Sequence, residues 1–297
     1  MDVQHEDYLG FKCLRLSNGR MSAWLTTEVG LRLIGLALPD SQDVMAHLPE
    51  EAIPVKGGGE YRLRGGHRLW HGPEVPARTY LPDNQPVETT IKPDYVSQRQ
   101  PIEESTGVEK AWHIELKPGS AELSIDHRLT NKGDQAITLA PWAITMLQPG
   151  GLALLPQQVD ESDPNCLQPN RHLVLWPYTR VESEFIQIHD EVVCLRADMK
   201  DGALKIGLPN PQGWLAYLRD DLLFVKASPF DPAASYIDRG ASSQVYCSPE
   251  VLELETLGPR VTLAPGQHVE HREVWTLTSL QAGRPEVVAL YEKYCAI

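Results

Sequence analysis

Apolar and polar residues alternate with a period near two along most of this chain. Successive side chains of an extended strand point to opposite faces, so such alternation marks strands with one buried face. Residues 11–16 alternate and then meet Ser17-Asn18-Gly19-Arg20, a tight hairpin turn. The pattern resumes at 21–25 and again at 30–38. Residues 39–60 read as loop, with a helical turn around 44–48. Strands follow at 87–91, 108–116 and 121–130, the last closed by Asn131-Lys132-Gly133-Asp134. Residues 136–147 form a near-continuous apolar run broken by Pro141, and 156–172 are a Pro-, Asp- and Asn-rich loop. Further strands fall near 203–208, 213–218, 222–227, 244–248, 251–257, 261–263 and 269–277. Only 285–295 carries helical spacing. Many short strands separated by turns predict an all-β protein, a large antiparallel sandwich with one short C-terminal helix. No composition break divides it, so residues 1–297 read as a single domain. The alternative is a two-domain split near 155–172.

One stretch departs from the alternation. Gly65-Gly66-His67-Arg68-Leu69-Trp70-His71-Gly72-Pro73-Glu74 runs on to Asn84 and is crowded with glycine, proline, charge and aromatic rings. Its breakers forbid a long helix and predict an irregular, turning ribbon. Such a ribbon suits the lining of a pocket.

Bulk properties narrow the function. The chain has 297 residues, 42% hydrophobic and 23% charged, and a formal charge of −13. An acidic field of this size disfavours nucleic acid and anionic membrane as partners and leaves small molecules open. No run approaches the length of a membrane-spanning helix. The five cysteines, Cys13, Cys166, Cys194, Cys247 and Cys295, are odd in number, form no C-x-x-C and predict free thiols. With no apolar leader visible, a cytoplasmic setting is the expectation.

Several residues could carry chemistry. Glu253 and Glu255 lie two apart in an otherwise apolar strand, so both carboxylates share a face. Mutual repulsion and burial raise carboxyl pKa values, which suits a general base. The bland reading is a solvated edge with both acids outward. His67 and His71 are four apart, a metal-ligand spacing on a helix, but the flanking glycines and Pro73 argue against a helix. With no third ligand nearby, no metal and no cofactor are expected. Arg68, Arg78 and Glu74 form either a structural ion-pair knot or a fork for ligand hydroxyls. Trp70, Trp142 and Trp176 are core residues or flat faces for a sugar ring. Lys226 is a charged residue on an apolar strand.

These segments resemble the galactose mutarotase-like superfamily, the aldose 1-epimerase supersandwich. The likeness rests on Gly65-Gly66-His67-Arg68-Leu69-Trp70 and on Leu129-Thr130-Asn131 followed by Leu139-Ala140-Pro141-Trp142. It also rests on Leu252-Glu253-Leu254-Glu255-Thr256 before Leu263-Ala264-Pro265-Gly266, and on Glu270-His271-Arg272-Glu273-Val274-Trp275. The resemblance implies interconversion of sugar anomers. A glutamate takes the anomeric proton, and a histidine protonates the ring oxygen. Glu255 then maps to the base, with Glu253 as fallback, and His67 maps to the first histidine. The second family histidine is replaced by Pro141-Trp142. Either His67 or His71 then serves as acid, or the protein binds sugar without turning it over. A lyase or hydrolase with a long cleft is a third reading. The partner expected is a small carbohydrate, phosphorylated if Arg64, Arg68, Arg78 and Lys226 converge. The mechanism requires His67 and Glu255 to face each other across one hollow.

Overall fold

The computed structural model describes residues 1–55, 59–158, 165, 167–280 and 289. Among these, strands build an eleven-stranded sheet, a ten-stranded sheet and a two-stranded hairpin. The first sheet runs from Asp2–Tyr8 through Phe11–Ser17, Ser22–Thr26, Leu33–Ala37, His67–Gly72 and Ile137–Leu147. It continues through Leu252–Leu257, Ser243–Cys247 and Leu204–Leu208 to Val174–Leu175, with Val261–Leu263 also paired to Ile137–Leu147. At the centre of the second sheet lie Leu222–Ala227, His268–Ser279, Glu122–Asn131 and Val108–Leu116. Neighbouring strands are antiparallel. The protein is therefore an all-β sandwich, as the alternation predicts.

Alternation places the core. In Glu122–Asn131 every second residue, from Leu123 to Asn131, is buried. Of these, Leu123 and Ile125 join Trp112, Phe224 and Trp275 against Leu14, Leu25 and Leu254 of the first sheet in one apolar cluster. The centre of the first sheet behaves differently. His67–Gly72 and Leu252–Leu257 are buried at every position, and Ile137–Leu147 is buried from Leu139 onward. Both faces are covered there: one by the second sheet, the other in part by the hairpin His47–Pro54 with Glu60–Gly65, whose Tyr61, Leu48 and Leu63 pack on Trp70 and Trp142.

The structure revises several sequence expectations. Residues 67–72 are a regular central strand and not part of an irregular ribbon, because the chain breakers lie outside the paired stretch. The path turns only afterwards, at a cis Gly72–Pro73 bond and the short helix Pro76–Thr79. Gly65 and Gly66 have φ of +90° and +68°, and a Cβ on them would lie 1.9 Å from the Ala46 carbonyl oxygen and 2.4 Å from that of Leu33. Their small size admits the protein's own backbone, not a ligand. Pro141 does not break its strand. It sits where the neighbour changes from Val261–Leu263 to Leu252–Leu257, so no ladder donor is missed on that edge. The loop expected at 39–60 is largely the hairpin. The expected C-terminal helix falls on residues of which only Ala289 is described.

Cys13 and Cys247 are free and buried, but Cys194 is disulfide-bonded. The expectation of free thiols fails at Cys194, and with it the thiol argument for a reducing compartment. Cys166 and Cys295 lie outside the described residues. Among the described residues no helix is long and apolar enough to cross a membrane.

Candidate functional site

Strand parity decides which side chains meet. On His67–Gly72, Arg68 and Trp70 point away from the second sheet, while His67, Leu69 and His71 point towards it. The register carries the outward set across the sheet. Trp70 lies opposite Trp142, and Arg68 opposite Ile144. Ile144 lies opposite Glu255, and Met146 opposite Glu253. Tyr246 lies opposite Glu253, and Lys205 opposite Tyr246. Five strands thus place arginine, lysine, two glutamates and aromatic rings on one outward face.

A cavity of about 280 Å³ opens on this face. Arg68, Glu253 and Lys205 give it charge; Trp70, Trp142 and Tyr246 give it flat apolar walls. The hairpin closes one side, and Tyr178 and Tyr80 another. The volume is at the small end for ligand sites, enough for one small molecule and not a run of sugar units.

The charges are paired. Arg68 Nη2 donates to Glu253 Oε1 at 3.1 Å, and its guanidinium lies 4.2 Å from the Trp70 ring centre. Glu255 lies beneath the cavity, wholly buried. Its Oε2 accepts from Lys205 Nζ at 2.7 Å and from Trp142 Nε1 at 2.6 Å. Its Oε1 is buried with no hydrogen-bond partner among the described residues. Burial pushes the Glu255 carboxyl above its ordinary range; Lys205 opposes this and Glu253 adds to it. Lys205 Nζ sits 4.8 Å from each of the Trp142 and Trp176 ring centres, so two indole faces hold the ammonium that neutralises Glu255. Burial and nearby carboxylates raise Tyr80, Tyr178 and Tyr246, whose phenols stay hydroxyl donors at neutral pH.

The remaining expected residues lie elsewhere. His67 does not face Glu255: the two occupy opposite faces of one sheet, because His67 has the parity of Leu69 and Glu255 that of Arg68. His67 is wholly buried between the sheets. The bonding there fixes its tautomer. His127 Nδ1 lies 2.9 Å from the His271 carbonyl oxygen, which can only accept, so His127 carries its proton on Nδ1. His127 Nε2 then accepts from His67 Nε2 at 2.8 Å, and His67 Nδ1 accepts from Thr145 Oγ1 at 2.9 Å. Both rings are neutral, and burial lowers both pKa values. Lys226 Nζ donates to Thr145 Oγ1 at 3.0 Å and to the Ala143 carbonyl at 2.9 Å, and pairs with Glu273 Oε1 at 2.9 Å. It is an inter-sheet residue and does not reach the cavity.

His71 points inward to Glu103, 3.0 Å away, and Glu103 is held by Lys110 at 2.5 Å. Arg78 Nη2 donates to the Gly72 carbonyl at 3.0 Å, and Arg64 pairs with Asp83 at 2.6 Å. The convergence of Arg64, Arg68, Arg78 and Lys226 that a phosphate would need does not occur. Nor do Arg68, Arg78 and Glu74 form one knot: Arg68 pairs with Glu253, and Glu74 accepts from the Tyr80 hydroxyl. Trp70 and Trp142 line the cavity, and Trp176 backs Lys205.

Ligating atoms of His67, His127 and Glu273 lie within 4.8 Å of one another, as in a metal site. Here Lys226 provides the positive charge for Glu273, and the two imidazoles hydrogen-bond each other. This cluster satisfies itself as a polar bolt between the sheets. Lys205, by contrast, was not singled out by the sequence reading. The available signal was a lone charge in Leu204-Lys205-Ile206-Gly207-Leu208, the same signal that marked Lys226.

No family model matches the sequence, and no curated protein matches it. Solved structures do. A TPR-domain containing protein from Parabacteroides distasonis ATCC 8503 superposes at a TM-score of 0.64 with 14% identity over 90% of this chain, which spans about half, 47%, of that protein. A galactose mutarotase-like protein from Lactobacillus casei ATCC 334 gives 0.59 with 13% identity, over 90% of this chain and 100% of that one. A putative aldose 1-epimerase from Escherichia coli K12 gives 0.54 with 13% identity, over 89% and 98%. Identities this low speak to architecture and leave activity to the site itself. The fold of this chain is the one these structures share, among them proteins described as galactose mutarotase-like and aldose 1-epimerase.

Proposed function

We propose that this chain, acting as one domain over residues 1–297, binds a single carbohydrate unit in the outward cavity of its first sheet. One observation carries the reading. At the sheet centre, residues that packing alone would make aliphatic are instead Arg68, Trp70, Trp142, Lys205 and the Glu253/Glu255 pair. Indole faces suit the C–H side of a sugar ring, and carboxylate and guanidinium groups suit its hydroxyls. Arg68 and Glu253 are already bonded to each other, so they are preorganised to share a ligand hydroxyl between them. Among the described residues no histidine lines the cavity, which favours binding over histidine-assisted ring opening.

A second reading, anomer interconversion as in an aldose 1-epimerase, is favoured by Glu255. Its raised pKa and unpartnered Oε1 suit a general base. The proton donor then has to be an N–H or O–H group of the cavity, such as the Lys205 ammonium 2.7 Å from Glu255, and not His67. The experiment is a sugar panel followed by tryptophan fluorescence for binding and by NMR saturation transfer for anomer exchange. Binding without exchange above buffer selects the first reading. Exchange that survives His67→Gln and is lost in Glu255→Gln selects the second. If no sugar binds or exchanges, both fail.

A further inference from the structure

Resting on the carbohydrate reading, we propose that the cavity is built for a sugar bearing a cationic amine and rejects anionic sugars. The argument is a charge balance at the site. Its two cations are spent internally: Arg68 on Glu253 at 3.1 Å and Lys205 on Glu255 at 2.7 Å. Three more carboxylates, Glu51, Glu74 and Glu250, also line the cavity. All three are exposed. Among the described residues none of them forms an ion pair with a lysine, arginine or histidine. Their hydrogen bonds come from neutral hydroxyls, Tyr80 to Glu74 and Ser248 to Glu250 at 2.8 Å. Among the described residues the mouth therefore carries three uncompensated negative charges around an internally neutral floor.

The other basic residues that could have reversed this sign are tied up away from the cavity, Arg64 on Asp83 and Arg78 on the Gly72 carbonyl. The overall charge of −13 reinforces the local field. A sugar phosphate or uronate entering here meets like charge and finds no free cation among the described residues lining the cavity. A protonated amino group finds carboxylate acceptors at the mouth while the ring lies against Trp70 and Trp142. Because the three carboxylates are hydrated, each contributes modestly, and together they favour the amine by roughly 5- to 30-fold at low ionic strength.

The test is a titration of the full chain, followed by tryptophan fluorescence near pH 6.5. It compares 2-amino-2-deoxy hexoses with their parent hexoses, N-acetylated forms, hexose 6-phosphates and hexuronates. The expected result is tighter binding of at least one amino sugar than of both its parent and its neutral N-acetyl form. Its advantage shrinks as salt is raised, and the amine-to-parent ratio falls towards one in the triple variant E51Q/E74Q/E250Q. Neutral hexoses binding as tightly as their amino forms, or a phosphate binding more tightly than its parent, overturns this inference and leaves the carbohydrate reading standing. Failure of every sugar to bind removes both.

Discussion

Replacing Lys205 by methionine removes the ammonium that neutralises Glu255 and keeps most of the aliphatic stem. Glu255 is then a wholly buried carboxylate with Trp142 Nε1 as its remaining donor. If it stays charged, breaking the buried pair costs about 3–5 kcal/mol. It can escape by taking a proton. That option costs about 1.4 kcal/mol for each pH unit above its unfolded-state pKa. The sign follows from linkage. Burial holds this carboxyl above its unfolded value, so the folded state binds the proton more tightly. That contribution is fully present at acid pH and is lost as pH rises through the folded pKa. Removing Lys205, which lowers the pKa in the native protein, extends the window upward. The destabilisation of Lys205→Met is therefore about 1 kcal/mol near pH 5 and grows to about 3–5 kcal/mol by pH 8. Urea unfolding at pH 5, 6, 7 and 8 measures it. In Lys205→Met/Glu255→Gln the slope disappears, because the amide does not titrate. A destabilisation that is flat from pH 5 to 8 would refute the buried ion pair, and with it the charge balance assigned to the cavity.

Three further outcomes are expected. Acidification should weaken the inter-sheet cluster: burial lowers His67 and His127, and lowers His271 to about 3. The unfolded chain takes up protons below about pH 6.5 before the folded one does, so His67 and His271 cost up to about 2 kcal/mol each at pH 5, and His127 acts in the same direction. Glu255 opposes this in part, and a urea midpoint that fails to drop between pH 7 and 5 refutes it. Gly66→Ala should destabilise by more than about 1 kcal/mol, since its Cβ would meet the Leu33 carbonyl oxygen at 2.4 Å. Gly10→Ala, also at positive φ but with open space around it, should cost less, and equal shifts in melting temperature would contradict the close-approach account. Trp142→Phe keeps an aromatic wall but deletes the donor to Glu255 Oε2, for a loss of about 1.5–3 kcal/mol in denaturant unfolding at pH 8. A variant as stable as the native chain there would show that the indole N–H does not hold Glu255.

Much of the fold was legible because burial on one face leaves a period of two. The strands Val108–Leu116 and Glu122–Asn131 show it plainly, with alternate residues buried. The central strands were harder to read. His67–Gly72 is buried on both faces, so its six residues carry no alternation, and the surrounding glycines and prolines made the segment look irregular. The hairpin of His47–Pro54 and Glu60–Gly65 was also missed. Its register shifts between Leu48 and Ala52, which breaks the alternation. For the site, the spacing of Glu253 and Glu255 correctly put both on one face, since parity within a strand is local. Their partners across the sheet depended on register between strands far apart in sequence. Lys205 reaches Glu255 only because Leu204–Leu208 pairs with Ser243–Cys247, which in turn pairs with Leu252–Leu257. No local pattern encodes that order.

The parity of one strand also explains why two polar clusters coexist in this sheet without mixing. Arg68 and His67 are adjacent in sequence, yet one faces the cavity and the other the second sheet. The same division recurs on Ile137–Leu147, where Trp142 faces outward and Thr145 joins His67. It recurs on Leu252–Leu257, where Glu255 lies under the cavity and Thr256 bonds Glu273. Buried polar groups are costly unless paired, and the inner set meets that demand almost wholly within itself, with Lys226 and Glu273 at its centre. The outer set does not: among the described residues Glu255 Oε1 and Arg68 Nε are buried without partners, and on the inner face His71 Nδ1 shares that state. A fold tolerates an unmet polar group where a ligand or water can supply the missing bond. These unmet groups beneath the cavity, and not the presence of histidines, mark the outer face as the one proposed to bind.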